Sequence, residues 1–561
     1  MTADSNNLLH SVGLLAECSW EVCNKIGGIY TVLATKASQL KETFGDRLVF
    51  IGPDLGQGIN GGDKSFKERK SILNRFGLNT LPFGIRVRTG RWDIPGNPAV
   101  ILVDFRPVFP HLNGIYGEMW STYGVDSLHA YGDYDESCAF AVAAAIVMEH
   151  LISHLKEDAS RCIAHFNEWT TGMGLLYLQK NVPEAATVFT THATTIGRSI
   201  CGNGKPLYEY FTAYNGDQMA AELNVQSKHS LEKAAAHNAD CFTTVSGVTA
   251  RECEQLLGRL PDVVTPNGFE PSFLPDSEKW ERLRRKGRKK LLQIASLLWD
   301  RQLSDDTFII ATSGRNEFRN KGIDLYLESM ARLAEKMTSA DRKAVAFVLV
   351  PAWVKAPSQD VITGMDFKGW IKPEPDYLTH RLHNEDVDSI AVGIRRLQEE
   401  MKNFGTDGNL KFVFIPSYLN CRDGIINIDY YDLLPALDLT VFASYYEPWG
   451  YTPLESIAFG VPTVTTDKAG FGDWAEAKGC DDLASHGVAV VNRTDSNFRQ
   501  NTDEIADLAL CYMRFPTETV EEARSAARST SEKALWKEFI RFYHEAFNVA
   551  FKNSQNRFLK K

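Results

Sequence analysis

The chain of 561 residues lacks a basic excess: 61 Lys and Arg stand against 71 Asp and Glu, a formal charge of −10. A protein that neutralises a phosphate backbone needs a basic face, so nucleic acid is excluded as the main partner, and an anionic membrane surface with it. Long apolar runs are also missing. The longest, CAFAVAAAIVM at 138–148, is followed by Glu149 and His150, well short of the ~20 residues that span a bilayer, and is expected to form a buried helix. The opening MTADSNNLLHSVGLLAECSW has no basic segment leading into an apolar core, so no secretory signal is read there and a cytoplasmic location is expected. Ten cysteines run from Cys18 to Cys511 without a C-x-x-C pair. That usage fits reduced, mostly buried thiols rather than a zinc site or a disulfide framework. The glycine pair of NKIGGIYTVLATKA belongs to neither a G-x-G-x-x-G loop nor a Walker loop, so that stretch lacks the commonest sequence signatures of phosphate binding.

What is present is alternation. Short apolar runs, SVGLLAEC (11–18), RLVFIGP (47–53), AVILVDF (99–105), RCIAHF (161–166), ATVFTTH (186–192) and CFTTVS (241–246), recur between helical patterns. A second set follows in TFIIATSGR (307–315), AVAFVLVP (344–351), LKFVFIPS (410–417), LTVFASYY (439–446) and VPTVTT (461–466). This is the pattern of β-α-β units with parallel sheets. A chain of this length exceeds a single growing core, and the charged helical stretch EKWERLRRKGRKKLLQIASLLW (278–299) between the sets has no strand character. The expected fold class is α/β: two doubly wound Rossmann-like domains, 1–275 and 276–531, the second with a helical insertion at about 365–408. Trp536, Phe539, Ile540, Tyr543, Phe547 and Phe551 lie three and four apart, an apolar helical stripe that would fasten a final helix, 532–561, back onto the first domain.

In open α/β sheets ligands bind beyond the carboxyl ends of the strands, so the informative residues are those that follow strands. Gly27 and Gly28 lead into an amphipathic helix, where backbone amides and the helix dipole favour an anion; a simple tight turn is the plainer alternative. Arg315 and Lys321 flank a loop after 307–315, placed to converge on one diphosphate, and a charge pair at 4 Å is worth ~4 kcal/mol at an effective dielectric near 20. In YYEPWGYTPLESIAFG (445–460), Thr452, Pro453 and Glu455 fit a capping box, which explains Glu455 locally. Glu447 has no such explanation. It follows a strand, beside Trp449 and the amides of Gly450, Tyr451 and Thr452, where a carboxylate and an aromatic face suit a nucleotide sugar. His192 and Arg198 (FTTHATTIGRSICG), Glu168 (HFNEWTTG), Asn267 (VTPNGFE) and Tyr430 (NIDYYDLL) follow other strands. Each also has an ordinary reading as a satisfied polar residue, a turn or a packed aromatic.

Taken in order and spacing, NKIGGIYTVL, FTTHATTIGR, VTPNGF, SGRNEFRNKG and YYEPWGYTPLES closely resemble the animal and fungal type of glycogen synthase, from about residue 13 to 550. The E-x7-E element is shared by many retaining glycosyltransferases of two-Rossmann (GT-B) architecture; YYEPWGYTP with TTHAT and GRNEFRNKG narrows the resemblance. It implies two domains facing an interdomain cleft, an acceptor-side first domain and a nucleotide-sugar second domain. The implied reaction transfers glucose from UDP-glucose to the nonreducing 4-hydroxyl of glycogen or a maltooligosaccharide, with retention and with no metal or cofactor. Carried over, Arg315 and Lys321 match the diphosphate pair, Glu447 the glutamate beside the donor glucose, and Glu455 the second member of its motif. His192 and Arg198 match residues facing donor sugar and phosphate, Lys25 with Gly27 and Gly28 the first-domain glycine loop, and Tyr430 the base-stacking aromatic. Glu168, Asn267, Trp449, Gly450, Tyr451 and Thr452 complete the donor set. Whether Glu447 is a nucleophile or electrostatic support stays open, the latter being favoured.

The family's insertion builds a tetramer, for which EDVDSIAVGIRRLQEEMKNF (385–404) and the basic helix at 279–298 are candidates here; a solvated face is the plainer reading of RLRRKGRKK. The eukaryotic enzymes carry a dense arginine run that senses glucose 6-phosphate. Here TVEEARSAARSTSEKALW offers only Arg524 and Arg528, so weak or absent activation by that sugar phosphate and a bacterial origin are expected. The alternatives are a glycosidase using Glu447 and Glu455, an inactive glucan-binding homologue, and a related glucosyltransferase using ADP-glucose or another acceptor.

Overall fold

The computed structural model describes residues 9–56, 65–69, 78, 81–154, 158–366 and 373–559. The chain divides into two units, the first taking Met1–Glu270 and Leu535–Lys561 and the second Pro271–Ala534, a few residues before the boundary expected near 275.

The first unit holds a nine-stranded sheet: β1 (Leu14–Cys18), β2 (Leu48–Pro53), β3 (Phe66–Glu68), β4 (Arg86–Trp92), β5 (Ala99–Asp104), β6 (Cys162–Asn167), β7 (Ala186–Thr191), β8 (Cys241–Thr244) and β9 (Val263–Val264). Their order is β3-β4-β5-β2-β1-β6-β7-β8-β9. The seven strands β5-β2-β1-β6-β7-β8-β9 are parallel, while β3 and β4 pair antiparallel at one edge. The central strands are covered on both faces and read as unbroken apolar runs. The strand β4, RVRTGRW, next to the edge, carries three arginines and has no such run, which is why the sequence does not announce it.

The apolar run 138–148 lies within the helix Tyr134–His154, and every one of its residues is buried. The helix Trp169–Asn181 approaches it closely: a Cβ on Gly174 would come within 2.3 Å of the Ala141 carbonyl oxygen. The aromatic stripe forms the helix Trp536–Leu559, which returns to this first unit. Trp536 donates its backbone N–H to Phe269 and its indole N–H to the Thr35 hydroxyl at 2.6 Å, and the rings of Tyr543 and Phe547 pack on His165.

In the second unit β10 (Phe308–Ser313), β11 (Ala344–Leu349), β14 (Leu410–Phe414), β15 (Leu439–Phe442), β16 (Thr463–Thr466) and β17 (Val488–Val491) form a wholly parallel sheet ordered β14-β11-β10-β15-β16-β17. A separate antiparallel ribbon joins β12 (Val354–Pro357) to β13 (His380–Leu382). The expected helical insertion at 365–408 is corrected accordingly: it contains β13 between the end of the helix Gln359–Asp366 and the helix Ser389–Phe404, and its residues 367–372 lie outside the described residues. The charged stretch at 278–299 is the helix Ser277–Trp299. Arg284 and Arg288 on it, with the wholly buried Arg524, converge on Asp438 at the foot of β15. Burial opposes ionisation of Asp438, but Arg288, Arg284 and Arg524 outweigh it and hold its pKa at about 2. All ten cysteines are free thiols, eight of them buried.

Candidate active site

In the second unit the expected residues sit on loops after adjacent strands. β10 ends at Ser313 and β15 at Phe442, and the two pair in parallel. The turn after β10 delivers Lys321, whose ammonium pairs with the Glu447 carboxylate on the loop after β15; their side chains are 17% and 15% exposed. The sequence reading aimed Lys321 and Arg315 at one anion. The structure instead joins Lys321 to Glu447 and leaves Arg315, 57% exposed, in an ion pair with Glu317 at 2.9 Å. The Glu447 loop is stitched down behind: the Glu447 carbonyl accepts the Gly470 N–H at 3.0 Å, and the buried Trp449 accepts the Phe471 N–H at 2.7 Å.

The capping box is a correction. The helix runs Tyr451–Ala458, and its N-cap is Gly450 at φ 98°, with no side chain to offer its amides. Thr452 lies inside the first turn, and the Glu455 carboxylate accepts the Tyr431 hydroxyl at 2.8 Å instead of reaching back to a cap. A glycine N-cap leaves the cap position without a side-chain oxygen, so the helix start stays suited to an anion from outside. Tyr430, half-buried, hydrogen-bonds the Ser313 hydroxyl at 2.8 Å at the end of β10. Its neighbour Tyr431 stacks on Phe459 at 5.3 Å.

In the first unit the Gly27 turn carries its own anion. The N–H groups of Gly27 and Tyr30 donate to the Glu21 carboxylate at 2.7 and 2.9 Å, at the start of the helix Gly28–Phe44. A glutamate therefore holds the place that the sequence reading gave to a phosphate. Gly28 and Lys25 are exposed, the Lys25 ammonium 5.8 Å from the Tyr30 ring.

The turn after β7 is held by three acids from three helices. Glu168, at the start of Trp169–Asn181 with φ 70°, accepts the N–H groups of His192 and Ala193 at 2.9 and 3.1 Å. Glu232, wholly buried on Gln226–Asn238, accepts the Thr191 hydroxyl at 3.2 Å and the Thr195 N–H at 2.9 Å. Glu252, on Gly247–Glu252, takes the Thr194 hydroxyl. Burial raises Glu168 to about 6 against the pull of Arg198, which is exposed on the following helix. Burial and then the charge of Glu168 raise Glu232 to about 8.

Burial, reinforced by Lys36 and His165, lowers His192 to about 3, so its imidazole is neutral. Its Nε2 faces the Asn167 Oδ1 at 3.2 Å, and because the Asn167 amide nitrogen is spent on Glu17 and Cys18, Nε2 is the donor;. Behind it, Lys36 and Glu17, both fully buried, pair at 3.1 Å, and His165 joins Glu17 at 2.9 Å. Asn267, 4% exposed beyond β9, has an Oδ1 without a hydrogen-bond partner among the described residues.

Residues 17–368 and 370–560 match the family described as Glycogen synthase. This chain belongs to the glycogen synthase family. It is 29% identical to a glycogen [starch] synthase of Neurospora crassa, covering 96% of this chain and 84% of the relative. It is 30% identical to one of Caenorhabditis elegans (95% and 87%) and 29% to the liver form of Homo sapiens (95% and 82%). Among solved structures, the catalytic domain of starch synthase IV from Arabidopsis thaliana, bound to ADP and acarbose, aligns with a TM-score of 0.56 at 13% identity over 96% of this chain and 99% of that one. A UDP-forming trehalose-phosphate synthase from Burkholderia vietnamiensis aligns with 0.54 at 10% identity, over 95% and 99%. These two likenesses show a shared glycosyltransferase fold.

Glu21, Glu232, Glu252 and Tyr431, which contact the candidate residues or the turn after β7, are the neighbours that sequence reasoning missed. Tyr431 stood next to a chosen residue in DYYD, and Glu21 precedes the glycine turn by six positions. Glu232 and Glu252 lie on helices whose sequences give no sign of facing a strand end. Among the described residues, no group of three or more His, Cys, Asp or Glu side chains is placed to hold a metal ion.

Proposed function

We propose that the protein is a glycogen synthase that transfers glucose from UDP-glucose to the nonreducing 4-hydroxyl of an α-1,4-glucan with retention at the anomeric carbon. The observation that carries this reading is the Lys321–Glu447 pair, in a chain matched to the family over nearly its whole length. As the bond from the anomeric carbon to the diphosphate lengthens, negative charge gathers on the leaving group. The Lys321 ammonium, the Arg315 guanidinium and the amides of the helix start at Gly450 stabilise that charge. Glu447 balances the positive charge that grows on the sugar. The acceptor oxygen bonds the anomeric carbon on the face that the diphosphate vacates, and its proton passes to the departing phosphate oxygen. Neutral His192 acts as a hydrogen-bonding group and not as a cation.

A glycosidase would need two carboxyl groups facing one another across the bond. Here Glu447 is held by a cation and Glu455 by a phenol, which favours transfer. Purified protein given UDP-glucose or ADP-glucose with short maltooligosaccharides tests the reading. UDP release with chains lengthening one glucose at a time is expected. Glucose release from glycogen without nucleotide sugar, or turnover of ADP-glucose alone, would overturn it.

The proposal includes a cytoplasmic tetramer; sedimentation as a 62.8 kDa monomer would remove the oligomer from it. It also includes insensitivity to glucose 6-phosphate. Arg524 is fully buried and spends its guanidinium on the Gly460 and Leu437 carbonyls, both at 3.0 Å, and on Asp438, so only the half-buried Arg528, over the Trp280 ring at 4.8 Å, retains a solvent face. Activity is expected to change less than about twofold on adding the sugar phosphate, since a single guanidinium pairs weakly in water. A several-fold rise in an initial-rate assay counts against it.

A further inference from the structure

Lys321 and Glu447 stand on two separate loops, and a displacement of about 1 Å between such groups can cost on the order of 10²-fold in rate. Something must therefore fix one loop against the other. Part of the tie is backbone: the Asn320 carbonyl accepts the N–H groups of both Tyr445 and Tyr446, at 2.9 and 3.1 Å. Gly322, at φ 67°, lies so tightly under the other loop that a Cβ there would come 1.7 Å from the Ala443 carbonyl oxygen and 2.9 Å from the Arg493 Nη1.

The remaining tie comes from a third loop. Arg493 follows β17, is 3% exposed, and donates to that same Ala443 carbonyl. Its Nη2 is 3.7 Å from the Asp324 carboxylate, in the first turn of the helix that follows Lys321. Its guanidinium carbon is 5.4 Å from the ring centroid of Tyr445, and that of a second arginine, Arg319, is 4.5 Å from the same centroid. The Tyr445 hydroxyl donates to Asp495, two residues beyond Arg493.

We propose that Arg493 is a positioning residue for the Lys321–Glu447 pair. From the loop after β17 it clamps the loop after β15 onto the helix start after β10, and so keeps ammonium and carboxylate in register for sugar transfer. The inference rests on the reading of that pair as donor-site machinery. At its burial Arg493 has almost no face to offer a substrate; it acts through the Ala443 carbonyl and the Asp324 carboxylate. The role calls for arginine in particular. A planar guanidinium can serve a carbonyl, a carboxylate and an aromatic ring at once, whereas an ammonium is a point donor. Removing it strands a buried carbonyl.

The test compares kcat, donor KM and melting temperature for wild type, Arg493→Lys, Arg493→Met, Glu447→Ala and the double variant Glu447→Ala/Arg493→Met. Arg493→Met is expected to lose about 10²-fold in kcat with donor KM changed less than about threefold, Arg493→Lys to recover part of the loss, and the double variant to be no slower than Glu447→Ala alone. Wild-type kcat in a folded Arg493→Met would overturn the inference, as would a loss that multiplies onto that of Glu447→Ala. If Arg493→Met does not fold, a folded Arg493→Lys with wild-type kcat overturns it equally. Wild type that turns over no nucleotide sugar would sink the donor-site reading and the inference with it, while active wild type beside an unimpaired Arg493→Met would sink the inference alone.

Discussion

Glu447 and Glu455 stand eight residues apart in one turn, and their immediate partners separate their roles. Glu455 accepts a phenol and Glu447 meets an ammonium. Replacing Glu447 with Ala should remove transfer by roughly 10²–10³-fold or more, the scale of losing a group that stabilises developing charge. The melting temperature should hardly move, because the pair is partly open to water and partly exposed ion pairs contribute little; assay and thermal melt on one preparation check both. Near-normal turnover would refute the assignment. Glu447 and His192 stood out in the sequence because each directly follows an apolar run that had to be a strand, and Lys321 because it closes the loop after another. Glu21 was not, because a carboxylate folding back onto the Gly27 and Tyr30 amides leaves no periodic trace.

Among the elements, the final helix shows a pattern that was fully legible. Six apolar residues at helical spacing face one way, and the helix Trp536–Leu559 lays them on the first unit, with the Trp536 indole bonded to Thr35. Gly268 has to be glycine there, since a Cβ would come within 2.7 Å of the Trp536 backbone. Trp536→Ala should cost about 3–5 kcal/mol, as for other buried large-to-small changes, read as a shift of the denaturant midpoint of the first unit. The helix Tyr451–Ala458 shows the opposite case. T-x-x-E is a good local signature, yet backbone packing puts the N-cap at Gly450, two residues before the expected cap Thr452. Strand β4 and the short strands β9 and β17 escaped notice because they carry charge or are only two to four residues long.

Across the whole molecule, buried carboxylates titrate in two opposed groups. Burial works against Glu17 and Asp438, but the cations beside them bring both to about 2. Their contribution to stability is present above their ordinary values of 4.5 and 3.8 and is lost as pH falls through about 2;. Glu168 and Glu232 are raised, to about 6 and 8, so their contribution is full below 4.5 and is lost as pH rises through those values;. The melting temperature should therefore fall at both extremes, and Glu232→Gln should flatten the limb between about pH 5 and 8 while leaving the acid limb in place. An unchanged alkaline limb in thermal melts from pH 4 to 9 would show that Glu232 is not buried in its acid form. The linear chain sufficed to reveal two sheets and the family, because hydrophobic periodicity and short motifs are local properties. Which charge each of those groups meets was settled by packing: Lys321 reaches a glutamate 126 positions away because β15 lies beside β10, and three arginines share Asp438 because two helices cross the foot of that same strand. Strand order and helix crossing arise from the competition of many burial terms over the entire core, and no local stretch of residues encodes them.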